Sequence, residues 1–363
     1  MPGSTFGRIL TVTTFGESHG PGIGVVMDGA PSGIALTVED IQKELDRRRP
    51  GQSAITTPRA EKDKVEILSG VFDGLTTGTP IALLIRNEDK RSSDYDNLKS
   101  LFRPGHADWT YGAKYGVRDW RGSGRASGRE TAARVAAGAV ARKILAVRGA
   151  SIMGYSREIA GVRAARVVPE EIEKNPARCP DPDAAPLMIA RIEEAKAQGD
   201  SVGGIVEVVV QGCPPGLGDP VFDKLEALLG HAILSVGAVR GVEIGAGFEA
   251  TRLRGSAYND EPYMDGSRMR TRTNNAGGIA GGISNGMDIV IRAAMRPPAS
   301  ISRAQKTVDS QGAEVTVEIA GRHDPCIVPR AVPVIEAMTA LVLADCLLVQ
   351  DAYSSAYRPK SDR

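Results

Sequence analysis

Histidine is scarce, with four residues in 363, and cysteine is equally rare. Cys179, Cys213, Cys326 and Cys346 show no C-x-x-C spacing. They read as scattered reduced thiols of an intracellular protein, not as a disulfide frame or a zinc site. No H-x-x-x-H or H-E-x-x-H pattern occurs, so no metal is expected. Excess charge is nearly absent: 45 Lys and Arg face 44 Asp and Glu, a net of +1. No global field therefore draws the chain to nucleic acid or to a membrane surface. Aromatic residues make up 4%, with six Phe, and no RNA-recognition pattern appears. No apolar run approaches the ~18–20 residues of a membrane span. The opening "MPGSTFGRILTVTTF" lacks the long apolar core of a signal peptide. The cytoplasm is the expected location. Neither a G-x-G-x-x-G between strand and helix nor a G-x-x-x-x-G-K-[ST] is present, which excludes Rossmann and P-loop readings.

Glycine, by contrast, is abundant: 42 of 363 residues, against a usual ~7%. The glycines cluster between apolar runs, which suits tight turns or close backbone approach to a ligand. With 42% apolar and 25% charged residues the chain has a globular composition, long enough for one large domain or two ordinary ones. Apolar, β-branched runs predict strands at Gly24–Met27, Val65–Val71, Pro80–Ile85, Ile205–Val210, Ile289–Ala293 and Val315–Ile319. "TVEDIQKELDRRRPG" predicts a helix with Thr37 as N-cap and Asp40 three residues on, stopped by Pro50-Gly51. The Ala-rich "ETAARVAAGAVARKIL" predicts a closely packing helix, and Ala331–Gln350 a buried one, apolar all round. A faint repeat pairs "VVMDGAPSGIALTVEDIQKEL" with "VVVQGCPPGLGDPVFDKLEAL", matching Gly29 to Gly212 and Gly33 to Gly216. It divides the chain into two halves sharing a core, with Asn175–Gln198 as the bridge.

Three histidines lie in turns: His19 in "GESHGPG", His106 in "FRPGHADW" and His323 in "AGRHDPC". Such settings leave a histidine exposed to ligand and free to titrate near neutrality. His231, in "LEALLGHAILSV", is expected to be a packed core histidine. Between Lys114 and Lys143 eight basic residues meet two acidic ones, in a chain of net +1. Within it, "RGSGRASGRE" sets Arg121, Arg125 and Arg129 among Gly and Ser just before a helix, a pattern suited to phosphate or carboxylate. Further arginine loops are "RRRPGQSAITTPR", "MRPPASISRAQKTV" and "GRHDP". Together they imply a ligand with several anionic groups, or two anionic ligands side by side.

"TFGESHG" also contains G-x-S-x-G, the signature of a nucleophile elbow. An elbow needs a helix after the serine, and here Pro, Gly and a strand follow. A serine hydrolase built on Ser18 is therefore disfavoured; a flavin- or nucleotide-binding module without catalysis stays open and is decided by an activity assay.

Taken in order, "TFGESHGPGIGVVMDGAPSG", "DRRRPGQ", "FRPGHAD", "RGSGRASGRETAARVAAGA", "GGIAGGISNG" and "GRHDPCIVPRAVPVIEAM" closely resemble the chorismate synthase family over nearly the whole chain. The resemblance implies an α+β fold, a β-α-β sandwich with a helical core between antiparallel sheets and an internal pseudo-twofold repeat. It implies a single domain over 1–363 with pseudo-repeats of roughly 1–174 and 199–350, assembled as a homotetramer. The implied activity is a 1,4-anti elimination of phosphate and a C6 hydrogen from 5-enolpyruvylshikimate-3-phosphate, giving chorismate. Reduced FMN is required without net redox change, and NADPH serves only indirectly as a source of reducing equivalents. By resemblance His19 is the acid for the leaving phosphate, His106 protonates reduced flavin near N1, and Asp324 supports proton removal from C6 through flavin N5. Arg125, Ala126, Ser127, Gly237, Ala238, Gly281, Arg296, Pro297, Pro298, Ala299, Ser300 and Arg322 match the cofactor contacts. Ser18 and Arg48 match contacts to substrate or NADP. Ala54, Ala126, Gly128 and Asn275 depart from the family's usual residues, so side-chain contacts there are in doubt.

Overall fold

The computed structural model describes residues 3–53, 55–56, 61–88, 98–319 and 323–355. The first half supplies β1 (Thr5–Phe6), β2 (Thr11–Gly16), β3 (Gly22–Asp28), α1 (Val38–Arg48), β4 (Val65–Ser69), the hairpin β5 (Val71–Phe72) and β6 (Leu75–Thr76), β7 (Ile81–Arg86), α2 (Asp108–Tyr115) and α3 (Thr131–Ala146). Then come β8 (Ser151–Ile159), β9 (Val162–Arg163), α4 (Ala184–Ala197), β10 (Gly204–Gln211), α5 (Leu225–Leu234) and β11 (Val239–Ile244). A short α6 (Gly255–Tyr258) leads into hairpins β12 (Pro262–Asp265) with β13 (Arg268–Thr271) and β14 (Ile279–Ala280) with β15 (Ile283–Ser284). The chain closes with β16 (Ile289–Met295), the hairpin β17 (Gln305–Val308) and β18 (Glu314–Val317), and α7 (Val328–Ser355).

Two five-stranded sheets result, ordered β1-β2-β3-β7-β4 and β11-β16-β10-β8-β9. Every pairing in both is antiparallel. Alternation decides which face is buried. Ile23, Val25 and Met27 on β3 and Ile81, Leu83 and Ile85 on β7 point inward. Val206, Val208 and Val210 on β10 and Ile289, Ile291 and Ala293 on β16 do the same in the second sheet. Helices α1 and α3 cover the first sheet, α5 and α7 the second, and α3 runs against α7 at the centre. The architecture is the expected α+β sandwich with a helical core.

Local chemistry sets the elements. Thr37 and Asp40 form a capping box, the Asp40 amide donating to Thr37 Oγ1 at 3.3 Å and the Thr37 amide to Asp40 Oδ2 at 2.9 Å. The alanines of α3 allow the close central packing: a Cβ added at Gly138 would sit 2.3 Å from Ala337 Cβ. Three expectations change. The strand read as Val65–Val71 ends at Ser69, because Gly70 takes a left-handed φ of +82° and a hairpin begins. The last helix is longer than Ala331–Gln350. Its stretch Val328–Tyr353 is long and apolar enough to cross a membrane, although no run of the sequence suggested a span; 89% of its most apolar 18 residues are buried, so it is the core helix of the sandwich. His231 is exposed, because α5 turns Leu225, Leu229, Ala232 and Ile233 inward and leaves the histidine beside Phe6, ring centroids 5.6 Å apart.

Candidate active site

A cavity of about 1240 Å³ opens at one end of the helical layer. Its walls come from Gly105–Ala107 and α2, from Ser123–Thr131, from Ser235–Ala238 after α5, from Met295, Arg296 and Pro298–Ser300 at the end of β16, and from His323, Asp324 and Arg330 at the head of α7. Segments far apart in sequence converge here because they are the loops at the same ends of packed helices and strands.

The glycine-rich loop shapes the centre. Gly122, Ser123 and Gly124 take consecutive left-handed φ values of +59°, +74° and +50°. Two of the three are glycine, as such a turn requires; Ser123 is held there by its bonds. Its hydroxyl accepts from Arg103 Nη2 at 2.9 Å and lies 3.2 Å from His106 Nε2. On the other side of that ring, Nδ1 accepts from the Ala107 amide at 2.9 Å and lies 3.3 Å from Arg103 Nη2. Donors on Nδ1 put the ring proton on Nε2, facing Ser123. Arg103 in turn grips buried Asp108 with Nε and Nη2, both at 2.7 Å. Burial opposes the Asp108 charge, but the hydrogen bonds and the positive charge of Arg103 outweigh it and hold the carboxyl well below the usual carboxylate range.

His19 differs from the exposed loop histidine expected of "GESHGPG". It is 7% exposed, in the turn between β2 and β3, and its ring packs against Gly122. A Cβ at residue 122 would fall 2.1 Å from His19 Cδ2 and 2.4 Å from Nε2. Ser18 is buried too; its amide donates to Gly124 O at 3.3 Å, and its hydroxyl has no hydrogen-bond partner among the described residues. The turn joins strand to strand, so the elbow geometry is absent.

The arginines of "RGSGRASGR" are not a free cationic patch. Arg121 bonds Asp119, and Arg125 donates to Thr14 Oγ1 at 2.7 Å and Gly16 O at 3.2 Å. Arg129 is buried on Asp63 and Asn87. Other arginines also line the cavity. Arg48 donates to Thr131 Oγ1 at 3.1 Å, Asp63 Oδ2 at 3.2 Å and Gly128 O at 2.5 Å. Burial, and then the charge of Arg330, push its guanidinium down to about 10. A cation so destabilised is a site where an incoming anion gains most. Arg330 pairs with Asp324 and donates to Arg48 O at 3.2 Å. A second positive pole is Arg296, lowered by burial and by neighbouring Arg240. Its Nη2 donates to Gly105 O at 2.9 Å, while its buried Nε has no partner among the described residues.

Of the residues singled out in the sequence, His106, Arg48, Arg125, Ala126, Ser127, Gly237, Ala238, Arg296, Pro298, Ala299, Ser300 and Asp324 line the cavity. His19 and Ser18 lie behind Gly122. Pro297 is not part of the wall, and Gly281 sits in the β14–β15 turn, away from it. Arg322 and Ala54 lie outside the described residues. Asn275 braces a loop, its amide donating to Ala257 O at 3.2 Å and Tyr258 O at 3.0 Å. Sequence reasoning passed over Arg103, Asp108, Arg240 and Arg330. Arg103 and Asp108 carried a signal inside "FRPGHAD", and Arg330 six residues after Asp324 in the motif that continues from it; Arg240 carried none.

A cavity with two positive poles, histidines at its wall and a paired carboxylate defines an enzyme acting on small anionic molecules. The chorismate synthase family model matches residues 10–348. The chorismate synthase of Chloroflexus aurantiacus is 55% identical over 364 residues, covering 100% of both chains. That of Syntrophobacter fumaroxidans is 59% identical over 348 residues, covering 96% of this chain and 98% of its own. A chorismate synthase crystal structure superposes with a TM-score of 0.76 at 36% identity, covering 95% of this chain and 93% of its own. The chain belongs to the chorismate synthase family and is an enzyme of the lyase class.

Proposed function

We propose that this enzyme eliminates phosphate and a C6 hydrogen from 5-enolpyruvylshikimate-3-phosphate in the 1,4-anti sense, giving chorismate in the cytoplasm, with reduced FMN bound beside the substrate. The observation that carries the reading is one large cavity with two separate positive poles, around Arg48 and Arg330 and around Arg296 and Arg240. Two anionic molecules side by side match it. About 1240 Å³ exceeds what one drug-sized ligand needs, roughly 300–1,000 Å³.

The residues present fit a flavin. Arg125, Ala126, Ser127, Gly237, Ala238, Arg296 and Pro298–Ser300 would hold it, and buried Arg296 Nε is a donor for it. Gly105 and Ala299, both on the cavity wall, approach so closely that a Cβ at 105 would lie 3.2 Å from Ala299 Cβ, so glycine at 105 lets the two loops meet there. Reduced FMN, when bound, supplies electron density transiently and is not consumed.

The other roles belong to the chain. The C3–O bond to phosphate breaks, so charge develops on the leaving oxygens. Arg48 stabilises that charge, and His19 supplies a proton to it. His106 keeps a proton on Nε2 toward the cofactor side. Asp324, oriented by Arg330, receives the proton that leaves C6. The phosphate-contacting part of the substrate has a neighbour in the buried, unpartnered Ser18 hydroxyl.

The test is anaerobic turnover of 5-enolpyruvylshikimate-3-phosphate with chemically reduced FMN, read as chorismate absorbance. Formation of chorismate without added NADPH is expected; no product with reduced flavin supplied would sink the reading. His19→Ala is expected to cost far more than Ser18→Ala, and the reverse order would revive the hydrolase.

A homotetramer is also proposed. The outer face of the first sheet carries Phe15, Val26 and Leu68, 45%, 37% and 58% exposed, an apolar surface that a second copy would cover.

A further inference from the structure

We propose that Asn87 is a positioning residue for His19. It follows β7 directly and is buried. Its side-chain Nδ2 donates to Glu17 O at 3.0 Å and to Gly20 O at 2.9 Å. Those carbonyls bracket Ser18 and His19. Its backbone N–H donates to Pro21 O at 3.2 Å, and the Gly20 amide closes the turn on Glu17 O at 3.0 Å.

The amide cannot flip. Its Oδ1 accepts from Arg129 Nε at 2.7 Å, and Arg129 is itself locked by Asp63 and by Arg86 O. A reversed amide would set NH2 against a guanidinium donor and oxygen against two carbonyl oxygens. Arg129 in turn shares Asp63 with Arg48 at the cavity. Asn87 therefore clamps the histidine turn from below while Gly122 presses on the ring from above, and it ties the turn to the ion-paired cluster beneath the anion pole.

This inference rests on the reading of His19 as the acid. Asn87→Asp is isosteric, keeps the Arg129 contact and turns both carbonyl contacts repulsive. In the anaerobic assay it is expected to lower kcat about 10- to 100-fold, the scale of a misplaced catalytic group, with KM changed less than about threefold. Amide exchange over residues 17–21, followed by mass spectrometry on the full chain, is expected to rise. The deciding measurement is a cycle with His19→Ala. If Asn87 acts through His19, the double variant is no slower than His19→Ala alone; additive losses, or Asn87→Asp within about threefold of the parent, would overturn the inference. A His19→Ala enzyme that turns over normally would instead overturn the acid reading, and the clamp with it, whatever Asn87→Asp does. Should Asn87→Asp not fold, Asn87→Ser, which adds no charge, is measured in its place against the same outcomes.

Discussion

At the scale of single residues, the site depends on who occupies each hydrogen-bonding edge. His106 has its tautomer set by Ala107, Arg103 and Ser123, and the His19 ring fills the space that a missing Cβ at Gly122 leaves. Gly122→Ala adds an atom 2.1 Å from His19 Cδ2 at a left-handed φ. It is expected to cut kcat/KM about 10- to 100-fold in steady-state assays, more than its effect on melting would suggest. Asp108 gives a pH prediction. Its folded-state carboxyl titrates below the unfolded value of ~3.9, so its contribution is fully present above about pH 4 and is lost as pH falls toward the depressed value. Asp108→Asn breaks a buried pair and is expected to cost about 3–5 kcal/mol at pH 7. Denaturant titrations should show that gap shrinking at pH 3 relative to pH 7; a gap that widens in acid would contradict the assignment.

At the scale of elements, the contact between α3 and α7 is the centre of the molecule. Gly138→Ala would place its Cβ 2.3 Å from Ala337 Cβ and 2.6 Å from Ala337 Cα, so the helix axes must separate. Overpacking of this kind costs about 1–3 kcal/mol, and thermal melting should show the loss. At the edge of the core, Thr37→Ala removes half of a capping box and is expected to cost about 1 kcal/mol by the same measurement. The comparison ranks the two: helix-to-helix packing should outweigh a single cap.

At the scale of the whole molecule, the two sheets share a plan. β2-β3-β7-β4 and β8-β10-β16-β11 have the same order, α1 and α5 follow the second strand of each, and α3 and α7 follow the strand that lies third in each. We propose that the chain is one domain of two pseudo-repeats meeting between α3 and β8. Gly29 and Gly212, and Gly33 and Gly216, take left-handed φ in each half, as an equivalent turn would require. The division by sheet falls near residue 150, ahead of 174, because β8 and β9 pair with β10 and not with the first sheet. The apolar outer face of the first sheet gives the test of assembly. Leu68→Asp, at an exposed position, should leave the monomer folded and shift sedimentation toward smaller species; an unchanged sedimentation coefficient would remove this face from the interface.

Sequence alone determined whatever depends on neighbours along the chain: the strands with period-two apolar residues, the capping box at Thr37, the close-packing alanines of α3, and the motifs that mark the family. These are local patterns, and local chemistry writes them directly. It left out what depends on contacts across the fold. "GESHG" read as an exposed turn, yet the backbone of Gly122, some hundred residues on, buries His19. The arginines of "RGSGRASGR" read as free forks, yet Asp119, β2 and Asp63 occupy them. Asn87 carried no pattern at all, since the three partners of its side chain are Glu17 and Gly20 of "GESHG" and Arg129, just ahead of α3. Burial and hydrogen-bond partnership are properties of side chains brought together from distant segments, and only the packed sandwich decides them.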